Sequence, residues 1–239
     1  MGFFWALQAN SPVAAYWVLA LNLQRQEGLG PLTTEIDEAV AEWNTENPSL
    51  PLDSSQNIVD FINKVNLPLL NSTIQETLRF ATSAMSMRAV QETTQLGGYT
   101  FGRGDEIVCL LRMVHLDQEI HGRPDEYIPT RYMAQKKFTK NGKPVMNHTM
   151  PFGGGVSMCE GRQVQGINGQ TQDIPVLTII SCRHFALKEL KALVALLLMK
   201  YTVEMDPKST ERPTPLTERM GVGVMHPKGD IRVIIRRRE

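Results

Sequence analysis

Cys159 lies near the end of a glycine-rich run, Pro151-Phe152-Gly153-Gly154-Gly155-Val156-Ser157-Met158-Cys159-Glu160-Gly161-Arg162. A thiol in this setting can be made a ligand. A thiolate at neutral pH needs positive electrostatics, and the start of a following helix supplies them. Small residues around the sulfur let a large flat molecule approach the backbone. Those are the needs of a haem-thiolate site, in which one sulfur binds iron and pushes electron density toward bound dioxygen. A buried structural cysteine in a turn is the plainer reading of one cysteine. The length of the Phe-x-x-Gly-x-x-x-Cys-x-Gly pattern favours the haem reading.

Three other segments fall in a fixed order around that run. Glu76 and Arg79 stand three apart, so on a helix they share one face and can join an ion-pair network. The stretch Pro124-Asp125-Glu126-Tyr127-Ile128-Pro129-Thr130-Arg131-Tyr132 follows, and then the cysteine loop. Near the start, Ala9-Asn10-Ser11-Pro12 places an amide and a hydroxyl in an apolar segment. Together these segments resemble the C-terminal half of a cytochrome P-450, a haem-thiolate monooxygenase.

The resemblance implies a role for each position. Cys159 is the axial ligand of haem b. Phe152 shields the sulfur, and Gly155 and Gly161 belong to the cofactor loop. Arg131 completes a structural triad with Glu76 and Arg79 that locks the chain before the cysteine. Arg88 is a candidate contact for a haem propionate, or else a surface arginine. Ala9 leaves room for oxygen on the opposite haem face. There most members carry an acid followed by threonine, to relay protons; here Asn10 and Ser11 stand in their place and would order water and protons. That departure, Ser157 two residues before the cysteine, and the runs Asn141 to Asn147 and Val224 to Asp230 resemble the branch of prostacyclin synthase and the sterol 7α- and 12α-hydroxylases.

Three functions follow as expectations. The first is a monooxygenase acting on a hydrophobic steroid, terpenoid or lipid-like substrate, plausibly in secondary metabolism, with electrons from NADPH–cytochrome reductase. The second is a redox-neutral isomerase or dehydratase of the prostacyclin synthase type. The third is an inactive remnant, because a complete member is about twice this length and the chain begins inside the family's long central helix. The family is usually bound to the endoplasmic reticulum membrane through an N-terminal anchor that is absent from this sequence. Residues 1–239 are read as one partial domain. Residues 163–183 are read as an insertion, either a retained intron or a surface loop, since joining Arg162 to His184 restores the family's pattern.

The expected architecture is mainly α with small β-sheets (α+β). Helices are expected over residues 3–26, from Thr34 to about Trp43, from a Ser54 or Ser55 cap onward, from a Ser72 or Thr73 cap onward, and over 184–201. The first is read as buried rather than membrane-spanning, since Gln8, Asn10, Ser11, Pro12 and Asn22 interrupt its apolar run. Strands are expected near 85–90, 99–101 and 106–111, with a terminal hairpin pairing 222–226 with 231–236. Lys plus Arg total 25, equal to Asp plus Glu, so the charge points to no nucleic-acid partner. Arg236, Arg237 and Arg238 are read as a solvated end. Cys109, Cys159 and Cys182 form no disulfide framework, as in a reducing compartment. His115, His121, His148, His184 and His226 show no ligand spacing and are read as surface or loop residues, with His148 a weak candidate near haem.

Overall fold

A computed structural model describes residues 2–134, 137–154, 182–218 and 223–238. Helix α1 (Gly2–Leu23) holds the apolar first segment. Its Ala14, Trp17, Val18 and Ala20 are buried, so the helix is an internal one. Among the described residues no helix is long and apolar enough to cross a membrane. Helix α2 (Gly30–Glu46) begins ahead of the expected Thr34. Pro31 sits in its first turn, where the missing N–H costs no hydrogen bond. In α3 (Ser55–Lys64) the expected cap is present: the Ser54 side chain accepts from the Asn57 amide at 3.2 Å.

Helix α4 (Pro68–Ala81) departs from expectation. It starts at Pro68, and Ser72 and Thr73 are buried inside it rather than capping it. The cap comes from another helix: the Glu35 carboxylate of α2 accepts from the amides of Leu69 and Leu70 at 2.6 and 2.8 Å. A carboxylate there answers both the open N–H groups and the positive end of the helix.

Short strands follow: β1 (Thr82–Ser83), β2 (Met85–Ala89), β3 (Thr94–Leu96), β4 (Tyr99–Phe101) and β5 (Glu106–Leu110). β2 pairs antiparallel with β5, and β3 with β4. The β3–β4 turn is Gly97-Gly98, with φ of +59° and +84°. Two left-handed residues suit the twist of a tight hairpin, which is why two glycines stand there. Two single-turn helices, α5 (Arg112–His115) and α6 (Gln118–His121), and a small β6 (Thr139–Lys140)–β7 (Lys143–Pro144) pair lead to the cysteine loop.

Helix α7 (Cys182–Lys200) starts two residues before His184, so the last residues assigned to the insertion belong to a helix. Tyr201 opens β8 (Tyr201–Met205) rather than closing the helix. Among the described residues the expected terminal hairpin is not formed. After β9 (Thr214–Pro215), β10 (Gly223–Val224) pairs with β1, β11 (Pro227–Lys228) with β9, and β12 (Val233–Arg237) with β8. Pro227 and Lys228, expected in the turn, instead form a strand, because partner choice is a long-range matter. The end is partly tied down as well: Arg236 pairs with Glu204 and Arg238 with Asp37.

The main core joins α1, α2, α3, α4 and α7 through Val18, Leu32, Ile36, Phe61, Leu70 and Leu198. Fully burying such a side chain contributes roughly 1.5–3 kcal/mol. The result is the mainly α architecture with small separate sheets that the sequence implied. It sets α4 between α1 and the loops that approach the cysteine run.

Candidate functional site

Glu76 is the centre of the best-defined polar cluster among the described residues. It lies on α4 with 0% exposure, as does Arg79, while Arg131 is 6% exposed. Arg79 Nε and one terminal nitrogen donate to the two Glu76 oxygens at 2.8 Å each. Arg131 Nε donates to Glu76 Oε2 at 2.9 Å, and the Ile128 amide donates to Oε1 at 2.9 Å. The guanidiniums then reach outward to main-chain carbonyls. Arg79 bonds those of His115, Pro124 and Glu126; Arg131 bonds those of His121, Arg123 and Glu126. Buried charge is tolerable only when paired and hydrogen-bonded, and here one carboxylate and two guanidiniums are. The triad inferred from sequence is thus assembled in full.

Two histidines carry this cluster on to the cysteine loop, and reading them as surface or loop residues was incorrect. His115 and His121 are 0% and 1% exposed. Arg79 holds the His115 carbonyl, and the His115 ring accepts the Met150 amide on Nε2 at 2.8 Å. Arg131 holds the His121 carbonyl, and His121 Nε2 donates to the His148 carbonyl at 2.9 Å. The Glu76 cluster therefore grips the chain just before Pro151 at two points. Both rings are neutral at pH 7. Burial and then the Arg79 guanidinium push the His115 pKa down to about 4. Burial, opposed by the His148 carbonyl and helped by Arg79 and Arg131, holds His121 at about 4. Burial also lowers His148, whose ring stacks on Phe138 at 3.9 Å. No periodicity marks these histidines, because their burial comes from loops folding over one another. The one local hint is that both close a short helix beside an arginine motif.

A second missed network joins α1 to the same cluster. Asn22 donates to Tyr127 Oη at 3.1 Å, and Tyr127 Oη meets Thr77 Oγ1 at 2.9 Å. Burial raises the Tyr127 pKa, so the phenol stays protonated. Ser72 donates to the Pro129 carbonyl and accepts from the Tyr132 amide.

Of the cofactor-loop residues inferred from sequence, Gly155, Cys159 and Gly161 lie outside the described residues. Phe152 packs against the main core and, with Gln75, Leu78, His148 and Leu187, lines a cleft of about 220 Å³. Arg88, on β2, donates to its neighbour Met87 at 2.7 Å and to the Gly154 carbonyl at 3.2 Å. A guanidinium is thus held against the cysteine loop. Asn10 and Ser11 lie on α1. Ser11 is buried, and Asn10 Oδ1 accepts the Val224 amide at 3.0 Å.

The described residues fit a porphyrin in one respect: the Arg88 guanidinium, bonded to the Gly154 carbonyl, is a cation that suits the carboxylates such a group carries.

Comparison with known proteins gives a consistent picture. A family model described as cytochrome P-450 matches residues 1–164. Cholesterol 7-alpha-monooxygenase of Cricetulus griseus is 26% identical over 97% of the chain and 43% of its own length. Prostacyclin synthase of Rattus norvegicus is 27% identical over 98% of the chain and 44% of its own length. A solved zebra fish cytochrome P-450 with abiraterone shares the fold at a TM-score of 0.64 and 19% identity, over 95% of this chain and 44% of that one. The chain spans less than half the length of these relatives.

Proposed function

The chain belongs to the cytochrome P-450 family, whose members hold haem through a cysteine thiolate; from that premise we propose that it is the haem-binding half of a monooxygenase acting on a hydrophobic, lipid-like substrate. The observation that carries the reading is the buried Glu76–Arg79–Arg131 cluster, tied through His115 and His121 to the segment that runs into the cysteine loop. Such a construction fixes a loop, and the ligand inferred on that loop is Cys159.

Haem b, bound through Cys159, would supply dioxygen activation. The chain's own residues do the remaining work. Arg88 would neutralise a propionate, a role supported by its bond to the Gly154 carbonyl. Phe152 packs against the core next to the loop, where it would keep water from the sulfur and tune its potential. Ser11 offers a hydroxyl on α1 for ordering water and passing protons. In the net reaction one oxygen atom of dioxygen enters a substrate C–H bond. The other leaves as water, with two electrons from NADPH through a cytochrome reductase and two protons. Relatives named for cholesterol and prostacyclin support a steroid or lipid-like substrate; a terpenoid of secondary metabolism belongs to the same chemistry. Endoplasmic-reticulum association is part of the same proposal. So is an insertion over residues 163–183, a reading supported by a family match that stops at residue 164.

One observation favours a second reading, a redox-neutral rearrangement of a peroxide. The position that holds an acid in most members is Asn10, and its Oδ1 is bonded to the Val224 amide. An amide so placed is no proton donor of acid strength. Turnover that consumes NADPH only in the presence of a reductase supports the monooxygenase; turnover of a lipid peroxide without reductant supports the rearrangement.

The test of the shared premise is haem content and the spectrum of the reduced, carbon-monoxide-bound full chain, with Cys159→Ser as control. The expected result is one haem per chain and the red-shifted band of a thiolate ligand, lost in the variant. No haem, or a spectrum indifferent to the substitution, overturns the proposal and leaves the inert remnant.

A further inference from the structure

We infer that Asn10 is a positioning residue: its amide latches strand β10 onto α1. Three observations converge on this contact. Asn10 Oδ1 accepts the Val224 amide at 3.0 Å, across 214 residues of sequence. The residue before it, Gly223, has φ +118°, a conformation that L side chains rarely adopt. A Cβ built on Gly223 would fall on Asn10 Oδ1 and lie 3.1 Å from its Cγ. The glycine is therefore a socket shaped for this side chain, and the two positions are read as one unit.

The strand is held elsewhere in a way that makes the Asn10 contact decisive for its near end. Two turns along α1, Trp17 Nε1 donates to the Met225 carbonyl at 2.7 Å. On the other side, the Met225 amide donates to the Ala81 carbonyl at 2.8 Å, and Val224 and Gly223 pair with Thr82 and Ser83. Met225 is thus fixed from both sides in a buried setting. Gly223 and Val224 are only partly buried, and their bond to α1 runs through Asn10. Without it, residues 223–224 keep their pairing with β1 but lose this hydrogen bond to α1. The latch gives an asparagine here a reason independent of proton transfer. The amide's carbonyl is an acceptor at every pH, whereas its chemistry as an acid is negligible. Its consequence is a fixed distance between α1 and β10.

The latch stands with or without haem, so its failure would leave the proposed function untouched. Amide hydrogen exchange of the full chain reads it directly, because the Val224 N–H is the donated proton. Asn10→Ala and Gly223→Ala are expected to speed exchange at Val224 about three- to tenfold, the loss of one ordinary hydrogen bond. Asn10→Asp, which keeps an acceptor oxygen at the same reach, is expected to retain protection. Amides of the β8–β12 pair, on a different part of the chain, should be unchanged in all three and serve as the folding control. If Asn10→Ala loses its fold, Gly223→Ala carries the test, since it leaves Asn10 in place. Val224 exchanging at the parental rate in a folded Asn10→Ala or Gly223→Ala, or Asn10→Asp exchanging as fast as Asn10→Ala, would overturn the inference.

Discussion

The Glu76 cluster and the α1–β10 face are built on opposite terms. At Glu76 one carboxylate accepts four donors, and the two guanidiniums pin five main-chain carbonyls, sharing that of Glu126. Every partner is charged or main chain, and the three side chains are buried. At the α1–β10 face the strand is two residues long and is held to the helix by one asparagine and one tryptophan. The first region tolerates no change in its parts, because each removal strands a buried charge. The second can be retuned one bond at a time.

Removing the hub should break the comparison most severely. Glu76→Ala leaves two guanidiniums unpaired, and a loss of roughly 3–5 kcal/mol is expected in urea unfolding, the usual cost of half a buried pair. A loss under about 1 kcal/mol, typical of an exposed pair, would mean that the cluster is not the fixed element described here.

The histidine links come next. His115→Leu leaves the Met150 amide without its acceptor, at about 1–3 kcal/mol, while His115→Gln keeps an acceptor and should cost less. The same residue gives a pH signature. The unfolded chain takes up a proton at His115 near its ordinary pKa of 6.5, the folded chain only near 4. Between those values the unfolded state binds more protons, so stability falls as pH drops from about 6.5 toward 4 and is full above it. His121 adds a change of the same sign. Unfolding free energy measured across this window should lose part of its slope in His115→Gln; an unchanged slope would remove His115 from the account.

On the other face, Trp17→Phe keeps most of the ring but deletes the donor to the Met225 carbonyl. About 1 kcal/mol is expected, well below the Glu76 effect. A loss as large as that of Glu76→Ala would erase the distinction between the two regions. The smallest effect belongs to the surface. Glu204→Ala removes an exposed partner of Arg236, and about 0–1 kcal/mol is expected from thermal melts.

The sequence alone determined the parts that rest on local chemistry. Spacing on one helix face brought Glu76 to Arg79, Ser54 announced the start of α3, and Gly97-Gly98 marked a tight hairpin. The motif order Glu76, Arg131, Cys159 identified the family and hence the mainly α fold. Tertiary structure decided what no local signal encodes. The cap of α4 came from Glu35 on another helix, so Ser72 and Thr73 were read as caps in error. His115 and His121 were buried by loops without periodicity. The terminal strands exchanged their expected hairpin for β8, β9 and β1. Asn10 gave its oxygen to an amide 214 residues away. The physical reason is the same each time: propensity and spacing fix what a segment forms, whereas its polar partners are chosen by whichever groups the packed core brings within hydrogen-bond reach.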